Sequence, residues 1–379
     1  MKRAIRGLMW VMLSTALLVM VPRAFAQRPP ETHPVSTHQD IVMSWDRSAL
    51  PGDVEIWAPR TVLGYSSDTS LNYGGLHLTC RSSADPGRGA CPILGTEGEA
   101  GSGAVKLLFV EQRTKLQIEL PVVGYLNRAM PGRRCSSDSW SGNAIPLWSA
   151  SIWECATEWP IGTGASLRIS ARDLEGLVAG TWKASLALDL FANIGEAKLA
   201  TYEFDFDFTI TDRDAVAIYF PHFDEISPHV GMNLRYDPIT QTVGGGTTVD
   251  MCLYDGLGSQ APYLGVTVRD SGGRAPGPSG FSAWHRDSGG SGDNARLDYN
   301  VTLDYNGAPL PMRNGVEEQL TGIDTAKLKL VVLPGMSQPV FCVDTPLRLN
   351  MPRVPIAEKQ PGYYRGDLKV ELRVPTGVP

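Results

Sequence analysis

Apolar and polar residues alternate along many short segments of this chain, and the most regular segment covers residues 202–210. There Tyr202, three phenylalanines and Ile210 occupy every second position, with acidic or hydroxyl residues between them. A period of two places these apolar side chains on one face of a β-strand, and we expect that face to be buried. Similar but weaker patterns predict strands at residues 105–112, 116–123, 182–190, 215–220, 247–254, 264–268, 297–303, 328–333 and 368–374.

Many short strands and very little helix predict an all-β fold. Only residues 171–178 have a helical pattern, which amounts to about two turns. Forty glycines and 28 prolines favour turns, because both residue types destabilise the interior of a helix. Residues 269–294 are rich in glycine, serine and proline and are predicted to form a long exposed loop. Short strands separated by turns are typical of β-sandwiches.

Residues 1–26 have the pattern of a cleavable secretion signal. Basic residues precede an apolar run at residues 8–21, and the small residues Ala24 and Ala26 fit a cleavage site before Gln27. This run is shorter than the roughly 20 residues of a membrane-spanning helix, although a non-cleaved anchor stays an alternative. We therefore predict export.

The charge balance argues against nucleic-acid binding as the main activity. The predicted signal carries Lys2, Arg3, Arg6 and Arg23, and its removal changes the net charge from −6 to −10. Binding to a phosphate backbone needs clustered basic residues, which an acidic chain does not favour.

Six cysteines in an exported chain predict disulfide bonds. Six cysteines allow 15 pairings, and the sequence alone does not choose among them. A structural zinc site is the competing interpretation, but the spacings typical of zinc ligands do not occur. The simplest pairing is sequential: Cys80–Cys91, Cys135–Cys155 and Cys252–Cys342.

A polar step at residues 211–214 predicts a boundary between two domains. The boundary divides the exported chain into residues 27–211 and 212–379, with an even number of cysteines on each side. Residues 27–46 have little pattern, and we expect them to be poorly ordered.

Several motifs suggest catalysis or ligand binding only weakly. Asp-Ser-Gly-Gly occurs at residues 270–273 and 287–290, the second beside His285, but both copies lie in the predicted loop and are better explained as turns. The acidic residues of 203–207 would form a ladder along a strand and not a cage for calcium. Residues 244–246 lack the lysine of a phosphate-binding loop. We therefore predict neither an enzyme nor a bound cofactor or metal.

Three segments of the second half carry a family pattern. They are residues 218–223, 249–256 and 362–370, and further matches in the first half occur in the same order at residues 79–92, 109–113 and 180–182. The chain resembles the tip adhesins of colonization-factor fimbriae (CFA/I and CS1 type) and the cable-pilus (CblD-like) initiator proteins of the alternate chaperone–usher class. The resemblance covers nearly all of the exported chain.

The resemblance implies two immunoglobulin-like β-sandwiches in tandem, a receptor-binding domain followed by a pilin domain. It implies that the pilin domain lacks its last strand, which a periplasmic chaperone supplies first and the major pilin subunit supplies in the fibre, after passage through an outer-membrane usher. Residues 368–374 fit the edge of such a groove. Their apolar side chains, which alternate with charged ones, belong to Leu368, Val370, Leu372 and Val374.

The resemblance also indicates where a receptor would bind. Arginines that bind the receptor in the best-known members fall at Ala192, Asn193 and near Gly75, so their basic pocket does not carry over and an anionic receptor is disfavoured. Arg113 does match a family position, but it is equally suited to capping a strand or pairing with Glu111.

Tryptophans suggest a different receptor surface in the first domain. Aromatic rings offer flat apolar area to a sugar or protein receptor, although packing inside the sandwich is the competing explanation. The candidates are Trp140, Trp148 and Trp153, with Trp159 just beyond them. The preferred hypothesis is a tip adhesin on the cell surface that starts pilus assembly and binds a host glycan or protein. The alternatives are a purely structural initiator and, as a distant third, an exported hydrolase.

Overall fold

The computed structural model describes residues 28–98, 100–132, 139–152, 159–223, 225, 227–336 and 338–375. The regular secondary structure of the described residues is almost entirely β-strand, as predicted. None of the helices among them has the length and apolar character that crossing a membrane requires. The strands are β1 Thr37–Asp46, β2 Val54–Tyr65, β3 His77–Thr79, β4 Gly103–Glu111, β5 Gln117–Ala129, β6 Gly162–Ile169, β7 Gly180–Phe191, β8 Ala200–Thr211, β9 Ala217–Tyr219, β10 Arg235–Asp237, β11 Thr242–Val249, β12 Cys252–Tyr254, β13 Tyr263–Asp270, β14 Phe281–His285, β15 Arg296–Tyr305, β16 Ala308–Pro311, β17 Glu317–Thr321, β18 Leu328–Val331, β19 Val340–Asp344, β20 Leu347–Pro355, β21 Tyr364–Arg365 and β22 Leu368–Arg373.

The helical content is smaller than the sequence suggests. The predicted helix at 171–178 is a single turn, α1 at Ala171–Leu174, which Ser170 caps by accepting a hydrogen bond from the Asp173 amide. Gly176 follows directly, and the next apolar residues enter the core without helical structure. The remaining helical turns are of the 3-10 type, at Thr69–Leu71, Tyr73–Gly75, Pro86–Arg88, Arg213–Ala215, Asp293–Ala295, Ile323–Thr325 and Ile356–Glu358.

The first eight strands form two facing layers joined at one corner. One layer has the order β2-β6-β5-β4, and the other contains β1, β8, β7 and β3. The end of β4 pairs with β7 and connects the layers. Aromatic rings meet between them: Phe109 lies 5.6 Å from Phe206, and Trp57 lies 5.0 Å from Tyr202, measured between ring centroids. The alternating residues of β8 are therefore buried, as predicted.

The expectation that residues 27–46 are poorly ordered is wrong for the second half of this segment. Residues 37–46 form β1, which pairs in parallel with the whole of β8. The first four residues of β1 are polar and exposed, so the sequence there does not show the pattern of a strand. In the rest of the strand, Ile41, Met43 and Trp45 alternate inward and pack against the core.

The second half consists of three sheets around a separate core. Their orders are β10-β11-β20-β15-β14-β21 with β16 beside β15, β9-β12-β19-β18, and β17-β13-β22. The predicted strand at 247–254 is divided into β11 and β12 because the chain crosses from one sheet to another at Asp250 and Met251. The chain makes the same crossing between β19 and β20. As a result, β20 pairs with β11 in one sheet and β19 pairs with β12 in the other.

Two of the three expected disulfide bonds lie within the described residues. Cys80 is bonded to Cys91, and Cys252 is bonded to Cys342. The expected Cys135–Cys155 bond falls on residues outside the described part of the chain.

The two halves are joined by a short connection and a shared apolar cluster. Only residues 212–216 separate β8 from β9. Tyr254 and Leu333 of the second half belong to the same buried cluster as the core of the first half. Polar contacts reinforce this junction: the Asp212 amide donates to the Gly256 carbonyl over 2.6 Å.

Arg113 bridges this junction. Its guanidinium donates hydrogen bonds to the backbone carbonyls of Ser259, Ile323 and Ala326, the last over 3.2 Å. The side chain is half-buried between the two halves. This placement favours a structural role for Arg113 over the suggested contact with a receptor.

We expect Arg113→Met to weaken the junction, because it removes the charged donor and leaves three carbonyls without that partner. The free energy of unfolding should fall by about 2–4 kcal/mol, and protease cleavage within residues 212–216 should become faster. Arg172→Met, at an exposed position on α1, is the matched control. Equal cleavage rates and equal melting temperatures for the two variants would show that Arg113 does not hold the halves together.

A buried histidine in the first half predicts a pH dependence of stability. His77 is 1% exposed, stacks on Phe191 and shares a hydrogen bond of 3.1 Å with the Gly75 carbonyl. Burial lowers the pKa of His77, the hydrogen bond to Gly75 opposes this effect, and the nearby charge of Arg128 adds to it. The imidazole is therefore neutral in the folded protein at neutral pH.

We expect this histidine to destabilise the fold in acid. Above the unfolded pKa of about 6.5, His77 is neutral in both states and does not reduce the free energy of unfolding. As the pH falls from there toward the lower pKa of the folded state, the free energy of unfolding decreases by up to about 1.4 kcal/mol per pH unit. His77→Phe should therefore lose less stability than the wild type between pH 7.5 and 5.5 in urea denaturation. The exposed His229→Phe should follow the wild type, and identical slopes for all three proteins would refute the assignment.

Candidate functional site

The last strand, β22, has a free edge. It pairs antiparallel with β13, from Leu368 opposite Asp270 to Arg373 opposite Gly265. Within the described part of the chain, no other strand pairs with β22. Its outer N–H and C=O groups are thus available to a further strand.

The apolar side chains of β22 point to the core but are only half-buried. Leu368, Val370 and Leu372 pack against the core of the second half, as does Val374 just after the strand. In β8 the same alternation gives side chains at most 6% exposed. The difference shows that this side of the second sandwich is less completely covered.

A second segment, residues 227–234, also packs on this core. Val230 and Met232 are half-buried and contact the same core as β22, while Gly231 between them is exposed. No backbone hydrogen bond joins this segment to any other residue that the structure describes. β22 and residues 227–234 therefore share one apolar core, and each has backbone groups without a hydrogen-bond partner among the described residues.

The first half contains a cleft of about 240 Å³ with aromatic and polar walls. It lies between the segment that follows β2 and the segment that precedes β6. Trp159, on the second wall, is 70% exposed, which is unusual for so large an apolar ring. The lining residues are Ser66, Asp68, Thr69, Asn72, Tyr73, Ile152, Trp159, Pro160 and Ile161.

Close backbone packing holds the two walls together. A Cβ atom on Gly74 would lie 1.9 Å from the carbonyl oxygen of Pro160, so only glycine permits this approach. The Ser66 amide also donates to the Ile161 carbonyl over 3.0 Å. The hydroxyl of Thr163 donates to the Tyr73 carbonyl over 2.8 Å.

The cleft carries negative charge. Asp68 caps the turn at Thr69–Leu71, and its Oδ1 accepts hydrogen bonds from the Ser70 hydroxyl at 2.6 Å and the Ser70 amide at 3.0 Å. These bonds lower the pKa of Asp68 and keep it ionised. Burial raises the pKa of Tyr73, and the negative charges of Glu31 and Asp68 raise it further.

The suggested tryptophans do not form one surface. Trp140 is only 7% exposed and packs with Tyr65, while Arg60 lies over its ring at 5.9 Å. Trp148 is half-buried against the core of the first half and covers Gly103. Trp153 lies outside the described residues. Packing therefore explains Trp140 better than receptor contact does.

Asn193 does not line the cleft but is hydrogen-bonded to a residue that does. Asn72, a lining residue with φ of 49°, donates from its side chain to Asn193 Oδ1 and to the Ala192 carbonyl. Asn193 in turn donates to Glu196 over 2.7 Å. Asn193 thus supports the wall of the cleft and does not line it. The sequence did not single out Asp68 or Tyr73, because a capping aspartate and a turn tyrosine carry no local signal of a binding site.

The weak catalytic and metal motifs have ordinary structural partners. Gly272 donates to Asp270 over 3.0 Å, and the Ser288 amide donates to His285, so both tetrapeptides form turns. On the acidic strand, Glu203 pairs with Arg88 and Asp207 pairs with Lys183. Asp205 accepts from Ser185 and lies 3.4 Å from His38, which also contacts Asp40.

The chain is similar to known fimbrial proteins over most of its length. The CFA/I fimbrial protein CfaE of Escherichia coli is 28% identical to it over 314 residues, which cover 79% of this chain and 80% of the relative. The crystal structure of CfaE, described as the adhesive subunit of the CFA/I fimbria of enterotoxigenic Escherichia coli, superposes with a TM-score of 0.69 at 24% identity. It covers 92% of this chain and 95% of that chain.

A second solved structure has the same fold. It is described as a chaperone–tip adhesin complex of CFA/I fimbriae biogenesis and matches with a TM-score of 0.66 at 24% identity, covering 92% of this chain and 99% of that chain. The likeness supports two immunoglobulin-like β-sandwiches in tandem. Residues 22–213 match the family model of the first domain of CfaE, and residues 216–376 match that of its second domain. The chain therefore belongs to the CfaE family of CFA/I fimbrial proteins.

Proposed function

We propose that this chain is the tip subunit of a fimbria, where it initiates pilus assembly and mediates adhesion to host cells or surfaces. Membership of a family of fimbrial proteins supports the general role, and a solved relative is described as an adhesive subunit. The observation that carries the assembly part of the proposal is the free edge of β22 above a half-covered core.

The proposal assigns a different task to each half. Residues 27–211, which contain β1–β8, form the receptor-binding domain, and residues 212–379, which contain β9–β22, form the pilin domain. Residues 1–26 direct export to the periplasm, from which the chain reaches the cell surface in the fimbria. The separate sheets of the two halves support this division.

A donor strand completes the pilin domain. It inserts between β22 and residues 227–234, where ladder hydrogen bonds satisfy the free backbone groups and alternate apolar side chains cover the core. A periplasmic chaperone supplies the first such strand, as the described chaperone–tip adhesin complex of the relative suggests. The outer-membrane usher then directs the exchange for the N-terminal strand of the major pilin subunit.

A structural initiator without a dedicated receptor is the second candidate. The burial of Trp140 and the commitment of Arg113 to the junction favour it, since both remove suggested receptor contacts. The exposed cleft around Trp159 favours adhesion.

We expect Val370→Asp to abolish the complex with the periplasmic chaperone, because a carboxylate on the inner face of β22 would be desolvated by the incoming strand. Lys369→Asp is the matched control, since it places the same side chain on the exposed face of the same strand. Co-purification from the periplasm measures the result. A Val370→Asp chain that recovers the chaperone at the wild-type level would defeat the groove assignment.

Adhesion is tested with the full chain stabilised by a peptide from the N-terminal extension of the major pilin. We expect saturable binding to epithelial monolayers, and the major pilin alone provides the background. Binding no higher than this background would favour the purely structural initiator, whereas the assembly role would still be judged by whether pili form without this chain.

A further inference from the structure

Trp159 is the one exposed tryptophan among those that the structure describes in the first half. Trp45 and Trp182 are at most 8% exposed, whereas Trp159 is 70% exposed and borders a cleft. Leaving an indole ring in water forfeits the stabilisation that its burial would give. Such a ring beside a concave polar surface is typical of a binding site.

Unused hydrogen-bonding groups line the same cleft. Oδ2 of Asp68 and the hydroxyl of Thr69 make no hydrogen bond to a described residue. Ser66 is only 3% exposed, and its hydroxyl oxygen accepts from the Asp68 amide over 3.1 Å, which holds Asp68 in place. The cleft therefore offers both acceptors and donors beside a flat apolar ring.

We propose that this cleft binds a neutral pyranose sugar. Trp159 stacks on the apolar face of the ring, Oδ2 of Asp68 accepts hydrogen bonds from sugar hydroxyls, and the Thr69 hydroxyl donates to a sugar oxygen. This inference rests on the proposed adhesive function and specifies the class of receptor for it.

The charge of the cleft disfavours an anionic sugar. Asp68 is ionised and Glu31 adds a second negative charge near Tyr73, while neither lysine nor arginine is among the described lining residues. A sialic acid carboxylate would be repelled here. A simple ammonium ligand fits less well, because it would use the carboxylate but not the hydroxyl donor.

The walls are fixed in advance of binding. Asn72 anchors one wall to the backbone at Ala192, and Gly74 packs directly on Pro160 of the other wall. A preformed site loses little entropy when a ligand binds. Trp159 and Asp68 can therefore be substituted without rebuilding the walls of the cleft.

Binding of the full, donor-peptide-stabilised chain to an array of neutral and sialylated glycans tests the proposal. The wild type should bind glycans with a neutral terminal hexose or N-acetylhexosamine and should not bind the sialylated forms. Trp159→Ala should weaken this binding at least about tenfold, the loss typical of a hot-spot residue, at an unchanged melting temperature. Tyr363→Ala, which removes an aromatic ring 71% exposed in the second half, should bind as the wild type does.

Asp68→Asn removes the negative charge of the cleft but keeps the hydrogen bonds that cap the turn. The asparagine oxygen can still cap Ser70, so the turn is kept, but the loss of the charged acceptor should weaken neutral-glycan binding about tenfold. Unchanged binding in both Trp159→Ala and Asp68→Asn overturns the proposal, as does a wild type that binds only sialylated or amine probes or no glycan. In those cases saturable cell binding by the wild type would leave the adhesive function standing, and its absence would remove that function as well.

Discussion

The free edge of β22 is the constraint on which the rest of the molecule depends. A β-strand at an edge presents a row of unpaired backbone groups, and here the apolar side chains beside that row are only half-buried. Such a surface favours pairing with any available strand, including another copy of the chain. The edge therefore has to be covered, first by a protecting partner during export and later by a pilin strand. In both cases an added strand pairs with β22, and the proposed assembly role follows from this pairing.

The junction couples the first half of the chain to the half that carries the free edge of β22. A shared apolar cluster, the Arg113 hydrogen bonds and the short connection at residues 212–216 join the two sandwiches. A force on the first half is therefore transmitted to the second through packed side chains as well as through the connection.

Local pattern was sufficient to predict strands in which apolar and polar residues alternate clearly, and it missed several others. β8 and β22 were identified because polar and apolar residues alternate in them. β6 was missed because both of its faces are covered, so that nearly all its residues are buried and the period of two disappears. Its partner β2 shifts register three times, which also breaks the pattern. Which tryptophan is exposed depends on packing between distant segments, such as Gly74 against Pro160, and no local pattern encodes it.

The same distinction between scaffold and loops explains how one fold serves different receptors. Alternating apolar positions tolerate extensive substitution, so the sandwiches persist at 24–28% identity. Ligand chemistry depends instead on a few loop side chains. The positions that the family resemblance assigns to receptor-binding arginines carry Ala192 and Asn193 here, and the neighbouring cleft carries an ionised Asp68. Under the proposed function, the negative charge of Asp68 beside these uncharged positions favours a receptor without an anionic group, and the edge of β22 proposed for assembly does not depend on it.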